Sequence, residues 1–188
     1  MIRWLLVVVF IFSAGTVSYA KAEKKPADGL YREYYDTGVV KREENYKNYI
    51  LNGAVKTFFG GGGLSSTATY VDGKRQGPGK TFYENGKTET DINFLDNELN
   101  GLSKKYYDTG DLESEFFYKA GRLEGNSTTY YKSGVLKKQM IYVNGVLSGG
   151  ASEYNEEGQP TAQEEYKDGN LLSRREYDQA PPPAMDKK

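Results

Sequence analysis

The side chains best able to do chemistry in this sequence are aromatic rings that recur every 24 residues. One column of them consists of Tyr35, Phe59, Tyr83, Tyr107 and Tyr131. Evenly spaced rings on an open surface can stack against sugars or anchor an extended peptide, because each ring buries a large area in a defined orientation. We therefore predict this column as the candidate partner-binding set. The alternative interpretation is structural, since aromatic residues in strands commonly serve packing.

The composition restricts other kinds of chemistry. The chain has no histidine and no cysteine, which excludes histidine-based triads, thiol nucleophiles, histidine-ligated metals and disulfides. Adjacent glutamates such as Glu43 and Glu44 point to opposite faces of a strand and cannot converge as an acid–base pair. Aspartates such as Asp36 and Asp108 stand singly in turns, unlike the carboxylates of a calcium loop. We predict a protein that is not an enzyme, with no catalytic residues, no metal and no cofactor.

These rings belong to six blocks of 24 residues that follow one another without insertion or deletion, each opening with a glycine. The opening residues are Gly29, Gly53, Gly77, Gly101, Gly125 and Gly149. We number places within a copy by residues after this glycine. Aromatic residues occupy places 5 and 6 in all but the last copy, a second glycine occupies place 9, and another aromatic occupies place 17. Such a period predicts that each copy contacts only its neighbours, which gives an extended surface and no deep pocket.

Each copy is predicted to be a β-hairpin. Asp108, Thr109 and Gly110 form a three-residue hairpin loop in which the glycine takes the left-handed conformation. A second turn, such as that at Asn144 and Gly145, links one copy to the next. Glycine every few residues and the lack of a 3.6-residue period disfavour helix. The predicted fold class is all-β: an elongated, twisted antiparallel meander of six 24-residue β-hairpin repeats, with twelve strands.

The hairpin loop also predicts a register. It sets Tyr106 opposite Leu112, and continuing that pairing along the strands puts places 5, 11, 15 and 17 on one apolar face. We expect the row at place 17 to be buried: Tyr46, Tyr70, Phe94, Tyr118, Tyr142 and Tyr166. The column at place 6 then lies on the other, polar face. That face should also carry the oppositely charged cross-strand pairs Glu33 with Lys41 and Lys105 with Glu113.

The two ends of the chain fall outside the repeat. Arg3, an apolar stretch and small residues up to Ala20 are typical of a secretory signal peptide, which predicts a secreted or periplasmic protein. We divide the chain into a signal peptide at 1–20, a linker at 21–28, the repeat domain at 29–178 and a disordered proline-rich tail at 179–188. The irregular first and last copies are expected to act as caps, with a final partial strand from about 174 to 177.

The sequence resembles a known repeat family. Tyr106-Tyr107-Asp108-Thr109-Gly110-Asp111-Leu112 and the linking Gly121-Arg122-Leu123-Glu124-Gly125 resemble the variant MORN repeat, of the bacterial YwqK-like antitoxin type. The resemblance extends from Gly29 to about Ser173. It implies an elongated antiparallel sheet used to bind protein or membrane partners and no catalysis. Cell-wall-binding repeats also combine paired aromatics with glycine, but they rely on tryptophan, and the one tryptophan here is Trp4 in the predicted signal peptide.

The predicted function is that of an exported, non-enzymatic repeat scaffold that binds a protein partner through its β-sheet surface. The alternative is a cell-wall or polysaccharide-binding module that uses the aromatic column, and the third is an antitoxin-like or immunity-like protein that neutralises a toxin. The formal net charge of −1, with both signs interspersed, predicts neither a nucleic-acid partner nor attraction to an anionic membrane surface.

Overall fold

The computed structural model describes residues 25–178. The predicted signal peptide, the first part of the linker and the proline-rich tail lie outside the described residues. Within them all the regular secondary structure is strand, and fourteen strands form one antiparallel sheet. The strands are β1 (Gly29–Tyr34), β2 (Val40–Lys47), β3 (Ile50–Phe58), β4 (Leu64–Val71), β5 (Lys74–Phe82), β6 (Thr88–Leu95), β7 (Glu98–Leu99), β8 (Gly101–Tyr106), β9 (Leu112–Lys119), β10 (Arg122–Tyr130), β11 (Leu136–Val143), β12 (Val146–Tyr154), β13 (Pro160–Lys167) and β14 (Asn170–Glu176).

The strands follow one another in chain order, as the predicted meander requires. Each strand pairs with the next, except that the short β7 and the following β8 both pair with β6. They are two parts of one strand interrupted at Asn100, whose N–H donates to the Asn93 carbonyl at 2.9 Å. The predicted all-β repeat fold is therefore confirmed. The last strand, β14, lies on the C-terminal edge and starts at Asn170, earlier than predicted.

The hairpin loops have the predicted geometry. In the fourth copy the Gly110 N–H donates to the Tyr107 carbonyl at 2.8 Å, and the Tyr107 N–H donates to the Asp111 carbonyl at 2.9 Å. Gly110 has φ of 95°, the left-handed conformation that a residue with a Cβ rarely adopts. Tyr106 lies opposite Leu112, so the first pair beyond the loop is also as predicted.

Beyond that pair the predicted register is wrong, because each hairpin contains a β-bulge. Lys105 lies opposite Ser114, with Glu113 as the extra residue, and the same shift occurs in all six hairpins. A bulge sets two residues of one strand against one residue of its partner and reverses the alternation beyond it. Places 15 and 17 therefore lie on the face opposite to the one predicted, and they do not share a face with places 5 and 11.

The bulge determines which places of each copy share a face of the sheet. The ring face carries places 2, 4, 6, 12, 13, 15 and 17; the opposite face carries places 1, 3, 5, 11, 14 and 16. Thr57 at place 4 contacts both bulge residues, since its Oγ1 lies 2.7 Å from Ser65 Oγ and 2.5 Å from Ser66 Oγ. On the opposite face, ion pairs join places 3 and 14, such as Lys104 with Glu115 at 3.0 Å.

The predicted cross-strand charge pairs form despite the bulge. Lys41 Nζ lies 2.7 Å from Glu33 Oε1, and Lys105 Nζ lies 2.9 Å from Glu113 Oε1. Both pairs join place 4 to place 12, the first bulge residue. The side chain at place 12 lies on the same face as the side chain at place 4, with which it was predicted to pair. Both pairs lie at the surface, where solvent screens the attraction, so their contribution to the free energy of unfolding is small.

The core of this single sheet is a layer of mostly small buried residues on the ring face, which we call the floor. Buried members lie at places 2 and 13, and they are Val55, Ser103, Ser114, Ser127, Ala151 and Ala162. The larger side chains beside them at places 15 and 17 flank this floor. In the row at place 17 only Tyr46 is buried, with 6% of its surface exposed, and the other five rings are half-buried. The predicted burial of this row is therefore correct for Tyr46 alone.

The opening glycines permit a second irregularity at each junction between copies. All six have positive φ, between 74° and 120°. At Gly125 three residues of β10 lie between Leu123 and Ser127, opposite the single residue Phe117 of β9. On its other side Gly125 lies opposite the place-17 ring of its own copy, Tyr142. A residue with a Cβ would be strained in this conformation, so the 24-residue period depends on glycine here.

Where the glycine is missing, the register changes. Ser173 stands at the position where a seventh copy would open, and it has no positive φ. Only one extra residue, Leu172, is then accommodated against β13, in place of two extra residues at the inner junctions. The shift sets Arg174 opposite Glu164, and the two side chains form an ion pair. The register of the last junction thus differs because one glycine is absent, and the capping role of the last copy stays a prediction.

Adjacent glycines in β12 allow a matched test. Gly149 has φ of 120°, and a Cβ there would lie 3.2 Å from Ile141 Cβ, whereas Gly150 has no positive φ and nothing closer than 3.9 Å. We expect Gly149→Ala to lower the free energy of unfolding by about 1–3 kcal/mol. Gly150→Ala should leave it unchanged or raise it by up to about 1 kcal/mol. Equal losses in urea unfolding of the two variants would contradict the role given to the opening glycine.

Candidate functional site

The predicted partner-binding column lies at the hairpin-loop margin of the ring face, where its hydroxyls join successive copies. Tyr83 Oη donates to the Tyr106 carbonyl at 2.6 Å, and Tyr107 Oη donates to the Tyr130 carbonyl at 2.7 Å. The same bond runs from Tyr35 to Phe58 at 2.8 Å and from Tyr131 to Tyr154 at 2.8 Å. Each donor is at place 6 and each acceptor at place 5 of the next copy. All five rings of the column, including that of Phe59, are half-buried.

Phe59 interrupts this ladder of hydroxyls. It occupies the same place in the second copy, but it has no hydroxyl to reach the Phe82 carbonyl that the pattern assigns to it. The structure therefore gives four members of the column a packing and hydrogen-bonding role. Whether the column also contacts a partner stays a prediction.

Cations cover part of these rings. The Nζ atom of Lys132 lies 5.5 Å from the ring centroid of Tyr107, and that of Lys137 lies 5.3 Å from the centroid of Tyr131. Burial, followed by the nearby charge of Glu89, raises the pKa of Tyr83 above its ordinary value of 10.0. The ring surface left for stacking with a flat ligand is therefore smaller than an open sheet would provide.

Backbone hydrogen bonds of the linking turns connect successive turns along the other margin of the sheet. A turn N–H donates to the backbone carbonyl two residues before the opening glycine of its own copy, as in Gly121 to Leu99 at 2.9 Å and Gly145 to Leu123 at 2.8 Å. In the first copy the acceptor is Ala27, which receives the bond from Tyr49 at 2.8 Å. Hydrogen bonds thus recur at regular intervals along both margins of the sheet. No other secondary-structure element of residues 25–178 packs on the two faces between them.

An exposed apolar patch on the opposite face was not predicted. Leu102, Phe117 and Ile141 are 41%, 44% and 37% exposed, and Leu102 lies directly opposite Phe117. Ile141 follows two strands later at the same place as Phe117. Val143 and Val146, which lie opposite each other, are a further exposed apolar pair beside Ile141. We call these five residues the apolar patch. The ion pair between Lys104 and Glu115 borders it.

A comparison of the copies could have found this patch in the sequence. Place 16 is Asn45, Thr69 and Asn93 in the first three copies but Phe117 and Ile141 in the fourth and fifth. Large apolar residues at a place that is polar in the other copies indicate a role other than maintaining the repeat fold. The missed bulge hid this signal, because the predicted register gave place 16 to the wrong face.

Carboxylates are buried only in the two terminal copies of the described repeat domain. Glu44 and Glu164, both at place 15, are 2% and 8% exposed. Glu44 accepts from Tyr46 Oη at 2.6 Å and pairs with Arg42 at 2.8 Å. Burial by itself raises the pKa of Glu44, but the hydrogen bonds from Tyr46 and Lys25 and the charge of Arg42 outweigh it, so the pKa lies below its ordinary value of 4.5.

Residues 25–178 lack two further kinds of feature. No three acidic side chains come together in a way that could hold a metal ion. No helix long and apolar enough to cross a membrane occurs in that range.

Four segments of the chain match the family model described as MORN repeat variant: residues 27–48, 75–96, 99–120 and 123–144. They coincide with the first, third, fourth and fifth copies, each from two residues before its opening glycine. These four copies bear out the predicted resemblance to the variant MORN repeat, while the YwqK-like antitoxin type stays a prediction. The second and sixth copies, which are not matched, fold into the same hairpins, β3–β4 and β12–β13. They carry the departures Gly60 to Gly63 and Pro160 in or beside their loops.

Matches to individual proteins add little. No curated protein matches the chain. Among solved structures, a mutant of S. aureus TarM in complex with Fondaparinux, alpha-GlcNAc-glycerol and UDP is 15% identical, with a TM-score of 0.35. The match covers 51% of this chain and 19% of that chain, so this chain spans about a fifth of the length of that protein. A likeness of this size has no bearing on fold or function.

The hydroxyl ladder predicts opposite effects for two reciprocal substitutions. Tyr107→Phe removes a bond between copies and should lower the free energy of unfolding by about 1 kcal/mol. Phe59→Tyr supplies the missing hydroxyl and should raise it by a similar amount. Tyr34→Phe is the control, since Tyr34 is 52% exposed on the opposite face. A series of urea unfolding curves measures all three, and a loss on Phe59→Tyr would count against the ladder.

The lowered pKa of Glu44 predicts acid sensitivity. Its carboxylate stabilises the fold above the unfolded value of 4.5, and this contribution is lost as the pH falls through the lower pKa of the folded state. The melting temperature should therefore fall between about pH 5 and about pH 3. Glu44→Gln should flatten this part of the profile, while Glu153, whose pKa Lys138 lowers, keeps some of it. An unchanged slope in Glu44→Gln would assign the acid sensitivity to other groups.

Proposed function

We propose that this protein is an exported, non-enzymatic repeat scaffold that binds a protein partner through the opposite face of its sheet. The observation that carries the proposal is the apolar patch, where Leu102, Phe117 and Ile141 are each more than a third exposed. Exposed apolar side chains grouped on one face and bordered by charged ones are typical of protein interaction sites. The matches to the variant MORN repeat support a scaffold role in general terms.

The structure of the ribbon favours a partner that lies along it. Hydrogen bonds between copies hold both margins, so the face between them is a preorganised surface that loses little conformational entropy on binding. Ion pairs beside the patch, such as Lys80 with Asp91 and Lys104 with Glu115, supply polar groups for the rim of an interface. Export follows from the predicted signal peptide and is part of the proposal.

A polysaccharide-binding function remains the second candidate, and it would use the aromatic column. The specific observation in its favour is that Tyr35, Tyr83, Tyr107 and Tyr131 are held in one line at the loop margin. Against it, their hydroxyls are already bonded to backbone carbonyls and cations cover three of the rings. An antitoxin-like role is a narrower form of the protein-binding proposal, with a toxin as the partner.

The proposal predicts that the apolar patch is needed for partner capture. Phe117→Ser with Ile141→Ser should abolish recovery of the cross-linked partner from native cells while the variant still unfolds cooperatively, since each side chain is more than a third exposed. Leu171→Ser with Leu172→Ser is the matched control, because these leucines are 50% and 61% exposed on the edge strand. It should leave capture intact.

The aromatic column is tested in parallel with Tyr83→Ala and Tyr107→Ala. If the patch variant still captures the partner while the tyrosine variants lose retention on cell-wall polysaccharide at an unchanged melting temperature, the second candidate replaces the first.

A further inference from the structure

A positively charged side chain is held between aromatic rings at the N-terminal end of the sheet. Lys25 Nζ lies 5.9 Å from the ring centroid of Tyr31, 5.2 Å from that of Tyr46 and 3.1 Å from Glu44 Oε2. Two ring faces and a carboxylate around one ammonium are the elements of a cation cage. We call Tyr31, Glu44 and Tyr46 the tyrosine cage.

Contacts other than that with Lys25 also hold the cage in place. Glu44 is 2% exposed, and its carboxylate is fixed by Tyr46 Oη at 2.6 Å and by Arg42 Nη2 at 2.8 Å. Both rings stand on paired strands, β1 and β2. Lys25, by contrast, precedes β1, and 54% of its side chain is exposed. Removing the lysine would leave the rings and the carboxylate in position, with one face of Glu44 open.

Cations also lie beside residues at places 15 and 17 elsewhere on the ring face. The guanidinium of Arg75 lies 5.9 Å from the centroid of Tyr70 and 5.2 Å from that of Phe94, both at place 17. At the other end of the sheet Arg174 pairs with Glu164, which accepts from Tyr166 Oη at 3.0 Å. Each terminal copy thus joins a glutamate at place 15 to a tyrosine at place 17 and holds a cation from outside the six copies.

The contacts also distinguish between kinds of cation. Lys25 Nζ is within hydrogen-bond distance of Glu44, which needs an N–H donor. A quaternary ammonium has none, and its methyl groups would hold the nitrogen farther from the carboxylate. The two ring distances are near the outer limit of about 6 Å for a cation–π contact, so the carboxylate selects the ligand.

We propose that the tyrosine cage is a binding site for a primary alkylammonium group, of the class of a lysine side chain, and that Lys25 is its intramolecular occupant. A lysine of another polypeptide takes the same place once Lys25 is withdrawn. The site lies on the ring face at the end of the sheet, away from the apolar patch. Its failure would therefore leave the proposed function untouched.

The test uses the full chain after signal removal, with Nα-acetyl-lysine methylamide as the probe and the ring signals of Tyr31 and Tyr46 followed by NMR. Lys25→Gln should bind this probe about ten-fold more tightly than the unaltered chain, because the tethered lysine competes at a high effective concentration. Choline, the quaternary probe, should bind Lys25→Gln more weakly than the primary ammonium does.

Two further variants make the result specific. Adding Tyr31→Leu to Lys25→Gln should weaken binding about three-fold, since it removes one cation–π contact and leaves the carboxylate network intact. Adding Tyr70→Leu, on the same row but away from the cage, should have no effect. The proposal is overturned if Lys25→Gln binds no more tightly than the unaltered chain, if choline binds at least as well, or if Tyr31→Leu leaves the affinity unchanged.

Discussion

The structure depends on a backbone constraint that recurs at each opening glycine. Only a residue without a Cβ adopts positive φ there without strain, and that conformation lets the strand take up extra residues and resume the same register. Together with the bulge after place 11, it returns each copy to the same alternation after 24 residues. The columns at places 6 and 17 are consequences of this reset. At Ser173, where the glycine is absent, the register moves by one residue and the array ends.

Much of the fold follows from the sequence because its determinants are local. The glycine at place 9 specifies the hairpin loop, and the period specifies the meander, so the strands and their order could be predicted. The bulge could not, since Glu113 and Ser114 carry no local signal that both will oppose Lys105. That one residue changed the face of every ring at place 17. The same error affected the prediction of the candidate site. The column at place 6 was identified, but its hydrogen bonds to the next copy were not. The exposed apolar patch was missed because the bulge changes which residues of the second strand lie on each face.

The two faces and the two ends have different physical roles. The ring face provides the packing of a one-layer protein, with small buried residues at places 2 and 13 beneath larger side chains. The opposite face carries ion pairs between places 3 and 14 and the exposed side chains of the apolar patch. In the two terminal copies place 15 is a glutamate, and Glu44 and Glu164 are buried beside cations. Inward-pointing charge near an edge strand discourages edge-to-edge aggregation, which suits a long open sheet without disulfides.

The bulge determines which residues share a face, and the absence of native cysteines makes disulfide cross-linking a clean measurement of it. Lys104 lies opposite Glu115 on the opposite face, whereas Ser114 is buried on the ring face. A disulfide needs Cβ atoms about 3.5–4.5 Å apart, which residues on different faces of a sheet cannot supply. The pair Lys104→Cys with Glu115→Cys should therefore oxidise to an intramolecular disulfide, and Lys104→Cys with Ser114→Cys should remain reduced. The reverse result would restore the register without a bulge and contradict the assignment of both faces.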